Sequence, residues 1–198
     1  MMENPKPLES VSVLFMHNEQ IFAVQRQPYL LAFPGYHAFP GGKIDKEDSS
    51  IPFKTRMLSD HDPRRMRAIH REVMEELGYD IEKAILQDEV LSISELAEAV
   101  APVFAPFRFR TWFYRIDLKK IVHFKADSGE IASSFWSTPE NVLEAFSKGK
   151  NLMVPPTRWV LKGLVEDPQA KALGDLSERY DEDNRVPSLE MLDGITLL

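Results

Sequence analysis

Residues 62–79, "DPRRMRAIHREVMEELGY", carry the reading on which the fold turns. Asp62 is a good N-cap, and Pro63 suits a first helical position, where its missing N–H costs nothing. Met66, Ile69, Val73 and Leu77 recur at spacings of three and four, so one stripe of the helix is apolar. Gly78 ends it, because glycine takes a left-handed C-terminal cap without strain. On a helical wheel Glu72, Glu75 and Glu76 fall within an arc of about 100°, on a different side from that stripe. Like charges so placed disfavour the helix by about 0.2–0.5 kcal/mol per pair, and a cation among them relieves the repulsion. Hard divalent ions such as Mg²⁺ take oxygen ligands of this kind. A solvated acidic face is the plain alternative, since glutamate is a good helix former. Arg64, Arg65 and Arg67 occupy the first turns, where the helix dipole disfavours cations. Their expected partners are acids of the 43–61 segment, or a bound anion.

Upstream, "AFPGGKID" at 38–45 sets two of only nine glycines side by side. Glycine adopts backbone angles closed to other residues and lets the main chain approach a neighbour. Before it, "SVSVLFM" (10–16) and "IFAVQR" (21–26) read as a strand hairpin joined at "HNEQ". The Pro- and Gly-rich 27–42 segment is loop with at most a short strand, and 43–61 is an exposed excursion. Beyond the helix, 81–93 mixes helix and strand signals, and "SELAEAVA" (94–101) reads as a short helical turn. "FRFRTWFYRIDL" (107–118) and "EIASSFW" (130–136) are strands. "TPENVLEAFSKGK" (138–150, capped by Thr138) and "PPTRWVLKGLVED" (155–167) are helices. A last strand pair is expected around Asp193-Gly194. Interleaved strands and helices indicate one α/β or α+β domain over residues 1–167. An insertion at about 46–61 interrupts it, and a 168–198 extension packs on it or at a dimer interface.

Bulk properties narrow the function. A net charge of −7 with no polybasic block removes the footprint of a nucleic-acid polymer as partner. An acidic chain handling an anionic small molecule needs a few aimed arginines or a divalent cation. The absence of cysteine excludes disulfides, thiolate metal sites and a cysteine nucleophile. No apolar run approaches the roughly 20 residues of a membrane span, and the N-terminus lacks a secretory layout. The expectation is a cytoplasmic protein with no membrane association.

"GGKIDKED" followed by "REVMEELGY" closely resembles the Nudix hydrolase signature, G-x5-E-x7-R-E-U-x-E-E-x-G-U with U aliphatic. Arg71, Glu72, Val73, Glu75, Glu76 and Gly78 match, and Tyr79 stands where an aliphatic is usual. Gly42 matches in the first half, with Asp48 in place of the glutamate. Asp48 and Arg71 enclose 22 residues where the pattern has seven, so 15 extra residues sit inside it. The resemblance implies an α/β/α sandwich around a mixed sheet, and cleavage of a nucleoside-linked diphosphate with Mg²⁺ or Mn²⁺. It implies that the glycine turn folds back on the helix and that Gly41 lends its carbonyl to the metal beside Glu72, Glu75 and Glu76. Arg71, four residues before Glu75, is placed to brace the cage. Glu72 and Glu130 are the candidate bases, Glu130 resembling an acid that many members bring from a later loop.

"VQRQPYLLAFPGYHAFPGG" (24–42) resembles the coenzyme A diphosphatase element, L-L-T-x-R-[SA]-x3-R-x3-G-x3-F-P-G-G. Arg26, Gly35 and Phe39 to Gly42 match, while Gln27 replaces the small residue and Leu31 the second arginine. "RFRTWFY" (108–114), "FWSTPENVLEAF" (135–146) and "VPPTRWVLKGL" (154–164) resemble the animal peroxisomal branch, which carries a long insertion in the same place. The C-terminal "ITLL" is not a peroxisomal address. Expected substrate contacts are Arg26, Gly35, His37, Phe39, Gly42, Arg108 and Arg110, since guanidinium matches phosphate oxygens. The leading expectation is coenzyme A or acyl-coenzyme A hydrolysis to 3′,5′-ADP and 4′-phosphopantetheine. ADP-ribose, a nucleotide sugar or a dinucleotide is the alternative. A non-catalytic binding module of the same fold is a third reading, opposed by the presence of all three glutamates. The resemblance makes a homodimer a reasonable assembly.

Overall fold

Alternation along the central strands decides the layering. The computed structural model describes residues 6–48 and 51–182. Strand β1 (Leu8–His17) turns antiparallel into β2 (Gln20–Arg26) through Asn18, whose φ is 54°. β1 also runs parallel to β5 (Phe109–Leu118), in register from Leu8 opposite Phe109 to Met16 opposite Asp117. Val11, Val13 and Phe15 therefore point to one face with Trp112, Tyr114 and Ile116, and Leu14 and Met16 point to the other with Phe113. With β3 (His37–Ala38), β4 (Val90–Val100) and β7 (Gly174–Asp175) the order is β3-β2-β1-β5-β4-β7, and β6 (Ile131–Ser137) pairs with β2.

Helix α2 (Pro63–Leu77) covers the first face with Met66, Ile69, Val73 and Leu77. Burying each such side chain contributes about 1.5–3 kcal/mol, so the stripe fixes the helix's rotation. Its ends follow the sequence: the Asp62 carboxylate accepts from Arg65 N–H at 2.9 Å, and Gly78 closes it in the left-handed region at φ 60°. The second face is covered by α4 (Pro139–Ser147), capped by Thr138, and α5 (Pro155–Glu166), whose Trp159, Val160, Leu161 and Leu164 meet Leu14, Met16 and Ile21. The result is the expected α/β/α sandwich on a mixed sheet. No helix among the described residues is long and apolar enough to cross a membrane.

Three expectations need correction. Residues 81–93 divide into α3 (Ile81–Leu86) and the start of β4, and "SELAEAVA" is strand throughout most of its length. Its alanines and glutamates favour helix locally, but pairing with β5 from Val90 to Val100, through two bulges, outweighs that preference. The 43–61 segment is not a plain exposed excursion. It folds into α1 (Arg56–Ser59) and sends Phe53 and Leu58 into the α2 core. The basic first turns of α2 mostly look elsewhere: Arg64 faces Glu9 at 3.6 Å, and Arg65 pairs with Glu95 at 2.9 Å and lies over Trp112. Among the described residues Arg67 is the one of the three that reaches the excursion, through the Ile51 carbonyl and the Phe53 ring. After α5 the chain returns to the sheet, where Leu173 N–H donates to Leu96, β7 pairs with β4, and α6 (Arg179–Glu182) follows. The strand pair expected at Asp193-Gly194 lies outside the described residues.

Candidate active site

The glycine turn is laid along β1 as a short antiparallel neighbour. Val13 N–H donates to the Pro40 carbonyl at 2.7 Å, Val11 N–H to that of Gly42 at 2.9 Å, and Ile44 N–H to that of Glu9. Gly41 has φ 144°, and a Cβ there would stand 2.2 Å from the Val11 carbonyl oxygen, so only glycine fits. Its N–H faces α2 and donates to Glu76 Oε2 at 2.9 Å. A Cβ on Gly42 would overlap the Glu72 carboxylate at 2.3–2.6 Å. The turn therefore wraps back on the helix, as expected, and its two glycines exist for two different contacts.

Glu76 does not face away from the apolar stripe, because it borders it and is only 4% exposed. Burial, opposed by the Gly41 N–H and reinforced by the charges of Glu72 and Glu130, pushes its carboxyl up to about 8. Glu72 is raised by burial too, with Arg71 opposing and Glu75 and Glu130 adding. The charge of Glu130 adds to the rise at both α2 acids, and that of Arg26 lowers Glu76.

Arg71 organises the other flank. Its guanidinium donates to Glu72 Oε1 at 2.7 Å and stands 3.5 Å from Glu75 Oε2. It also donates to both oxygens of Asp48, at 3.2 and 3.0 Å, and to the Lys43 carbonyl. The Asp48 bond is the largest of the effects holding the Arg71 proton more firmly than usual. Asp48 is buried and also accepts from Asp45 N–H, so the insertion leaves this acid in place despite the stretched spacing.

The expected cage is not gathered around one point. Among the described residues no group of three or more His, Cys, Asp or Glu side chains is placed to hold a metal ion. The cause is visible at Glu75, whose side chain is 61% exposed and turned toward Arg71, which bridges it to Glu72. The donor chemistry still suits a hard cation. Glu76 is buried against a main-chain N–H, and Glu72, half-buried and held at one oxygen by Arg71, adds its charge to the same region.

Several candidate substrate contacts lie elsewhere. Phe39 is a buried core residue among Leu14, Ile21 and Trp159, on the α5 side of the sheet. His37 faces that side too, edge-on to Phe135, with burial lowering its pKa. Both are turned from α2 because neighbouring Ala38, opposite Val24, takes the α2 face. Arg110 is held by Glu98 at 2.5 Å and by the Trp112 ring, near the start of α2. Arg108 donates to the Ala101 carbonyl. Gly35 is a turn glycine at φ 73° with open space around it. Of these, Gly42 abuts Glu72, and the charge of Arg26 lowers Glu76. The turn donors Gln27 and Tyr29 reach the loop carrying Glu130; in the sequence Gln27 stands out only as a departure from the coenzyme A element, and Tyr29 carries no signal.

Comparison with known proteins follows from this geometry. The NUDIX domain family model matches residues 6–160. No curated protein sequence matches. Among solved structures, a NUDIX hydrolase from Alicyclobacillus acidocaldarius superposes with a TM-score of 0.67 at 21% identity, covering 82% of this chain and 93% of that one. The MutT protein from Methanosarcina mazei Go1 gives 0.56 at 15% identity, covering 85% and 99%. The NUDIX domain of Shewanella oneidensis NrtR, complexed with ADP ribose, gives 0.58 at 13%, covering 83% and 90%. At such identities the likeness is one of fold.

Proposed function

The chain belongs to the NUDIX domain family, and on that premise we propose that it is a divalent-metal-dependent hydrolase of a nucleoside-linked diphosphate, with coenzyme A or an acyl-coenzyme A as substrate. The observation that carries the reading is the pairing of turn and helix: Gly41 N–H on Glu76 at 2.9 Å, with Gly42 bare against Glu72. Glu72, Glu75, Glu76 and the Gly41 carbonyl would hold Mg²⁺ or Mn²⁺. The chemistry such an ion supplies is neutralisation of the diphosphate oxygens. Arg71 steadies Glu72 and is itself fixed by Asp48, so the carboxylate keeps one orientation. Glu130, or Glu72, accepts the proton of the attacking water. Arg26, whose charge lowers Glu76 and which is hydrogen-bonded to the Ala32 carbonyl, meets a phosphate.

Leu31 favours a second reading within the same chemistry. It stands where the coenzyme A element has an arginine, and it is 93% exposed, so nothing there grips a phosphate. ADP-ribose, a nucleotide sugar or a dinucleotide is then the substrate; the NUDIX domain of the Shewanella protein is itself a complex with ADP ribose. Turnover of a diphosphate panel with and without Mg²⁺ or Mn²⁺ decides. Release of 3′,5′-ADP and 4′-phosphopantetheine supports the first reading, and AMP from ADP-ribose the second. Binding without turnover of any diphosphate overturns both.

A further inference from the structure

The turn that carries Glu130 is fixed from two sides. On one side Asp127 N–H donates to the Glu76 carbonyl at 2.7 Å and Lys125 N–H to that of Leu77 at 3.0 Å, so the loop closes the last turn of α2. On the other side, four consecutive carbonyls are taken by two residues that follow β2. The Gln27 side-chain amide donates to Ser128 at 2.8 Å and to Ile131 at 3.4 Å. The Tyr29 hydroxyl donates to Gly129 at 2.8 Å, and Gln27 N–H to Glu130 at 2.8 Å. Pro28 between them has a fixed φ, which lowers the entropy lost in holding both donors to one turn. Tyr29 is 67% exposed, so its ring supports little of the core, and the hydroxyl contact is what its position provides.

We propose that Gln27 and Tyr29 are positioning residues, forming a clasp that holds the turn bearing Glu130 against the last turn of α2, which carries Glu76. The inference rests on the reading that Glu130 serves hydrolysis. The clasp also gives meaning to a departure in the sequence. A small residue at position 27, as in the coenzyme A element, has no amide to reach Ser128. Here the longer side chain takes over the fastening, and the segment that begins at the phosphate partner Arg26 becomes mechanically continuous with the loop of the acid.

A double-mutant cycle tests this, using the full chain and whichever diphosphate of the panel turns over fastest. Tyr29→Phe removes one hydroxyl, and its expected effect is a fall in kcat of about 10-fold at unchanged KM, the scale of one lost hydrogen bond. Gln27→Ala, which removes two bonds, falls further. In a Glu130→Gln background neither substitution has an added effect. Equal losses in both backgrounds overturn the clasp as a means of placing Glu130. Wild-type kcat in Glu130→Gln alone removes the acid's role and the proposal with it. A second measurement does not depend on turnover: amide hydrogen exchange at Glu130 and Ile131 should quicken about 10-fold in Tyr29→Phe, with the amides of α2 unchanged. Unchanged exchange at these amides overturns the clasp even where the assignment of Glu130 survives.

Discussion

Alanine at positions 41 and 42 should separate the fold from the chemistry. At Gly41 the added methyl meets main chain: 2.2 Å from the Val11 oxygen and 2.8 Å from Ser12 Cα, at a φ of 144°. Neither obstacle swings aside, so the 40–44 segment must lift from β1. Lifting strains or breaks the Val11–Gly42 and Val13–Pro40 hydrogen bonds, at 2.9 and 2.7 Å. Two such bonds at about 1 kcal/mol each, with about 1–3 kcal/mol of backbone strain, give a loss of about 3–5 kcal/mol. In a domain of this size that lowers Tm by about 6–20 °C. At Gly42 the methyl meets only the tip of a side chain, the Glu72 carboxylate at 2.3–2.6 Å. Ordinary contact lies near 3.5 Å, so the carboxylate must retreat by about 1 Å. That relief costs the fold little, but a displacement of this size in a catalytic group lowers turnover by about 100-fold. Urea unfolding of the metal-free variants and kcat/KM on the best diphosphate give the two readouts. Gly42→Ala with wild-type turnover, or with the same stability loss as Gly41→Ala, refutes the division of labour between the two glycines.

Glu76→Gln keeps an oxygen for the Gly41 N–H but cannot ionise to meet a cation, so turnover should fall by about 10²–10³-fold while urea stability holds or rises; wild-type turnover removes Glu76 from the site. Phe53→Ala or Leu58→Ala should each cost about 2–5 kcal/mol, because the excursion is anchored in the core, and a change under about 0.5 kcal/mol in urea unfolding contradicts that anchoring. Asp117→Asn strips the countercharge from Arg115, which is 2% exposed, and should cost about 3–5 kcal/mol at neutral pH, read by the same unfolding assay. Burial alone would raise the Asp117 carboxyl, but hydrogen bonds from Arg115, Lys171 and Ser92 hold it below the ordinary 3.8. The stability it contributes is therefore complete above pH 3.8 and lost as pH falls through the lower folded value, so the variant should lack that part of the acid transition.

What could be read in the sequence was whatever one element specifies alone. The α2 stripe, the Asp62 and Thr138 caps and the Gly78 stop are local, and each appears where the spacing puts it. The failures lie where a partner decides. "SELAEAVA" carries helix formers, and only β5 makes it a strand. His37 and Phe39 follow a two-residue strand whose facing depends on Val24 of β2, and no pattern within 37–39 contains that register. The excursion looked free because polar residues surround Phe53 and Leu58, yet two apolar side chains suffice to pin it. Asp48 shows the converse, since a long insertion changes sequence spacing without moving the acid from Arg71.

The same distinction explains why the site sits where it does. A carboxylate as buried as Glu76 weakens a fold unless something answers its charge, and its neighbours Glu72 and Glu130 make the imbalance worse. The basic group nearest the cluster, Arg71, divides its donors among Asp48, Glu72, Glu75 and the Lys43 carbonyl. It bonds the acid at one edge of the group and leaves Glu76 to a single main-chain N–H. Stability alone would favour glutamine, or an apolar side chain, at a position bordering the core stripe. Around this point the chain has instead committed a glycine at a φ other residues rarely adopt, a second glycine with no space for a methyl, and a loop fastened at both of its ends. Each of those devices serves the exact placing of negative oxygen atoms, and none of them adds to the burial that holds the sandwich together. On the proposed reading a divalent cation completes this placement, which puts the working end of the molecule at the acids and not at the arginines over Trp112.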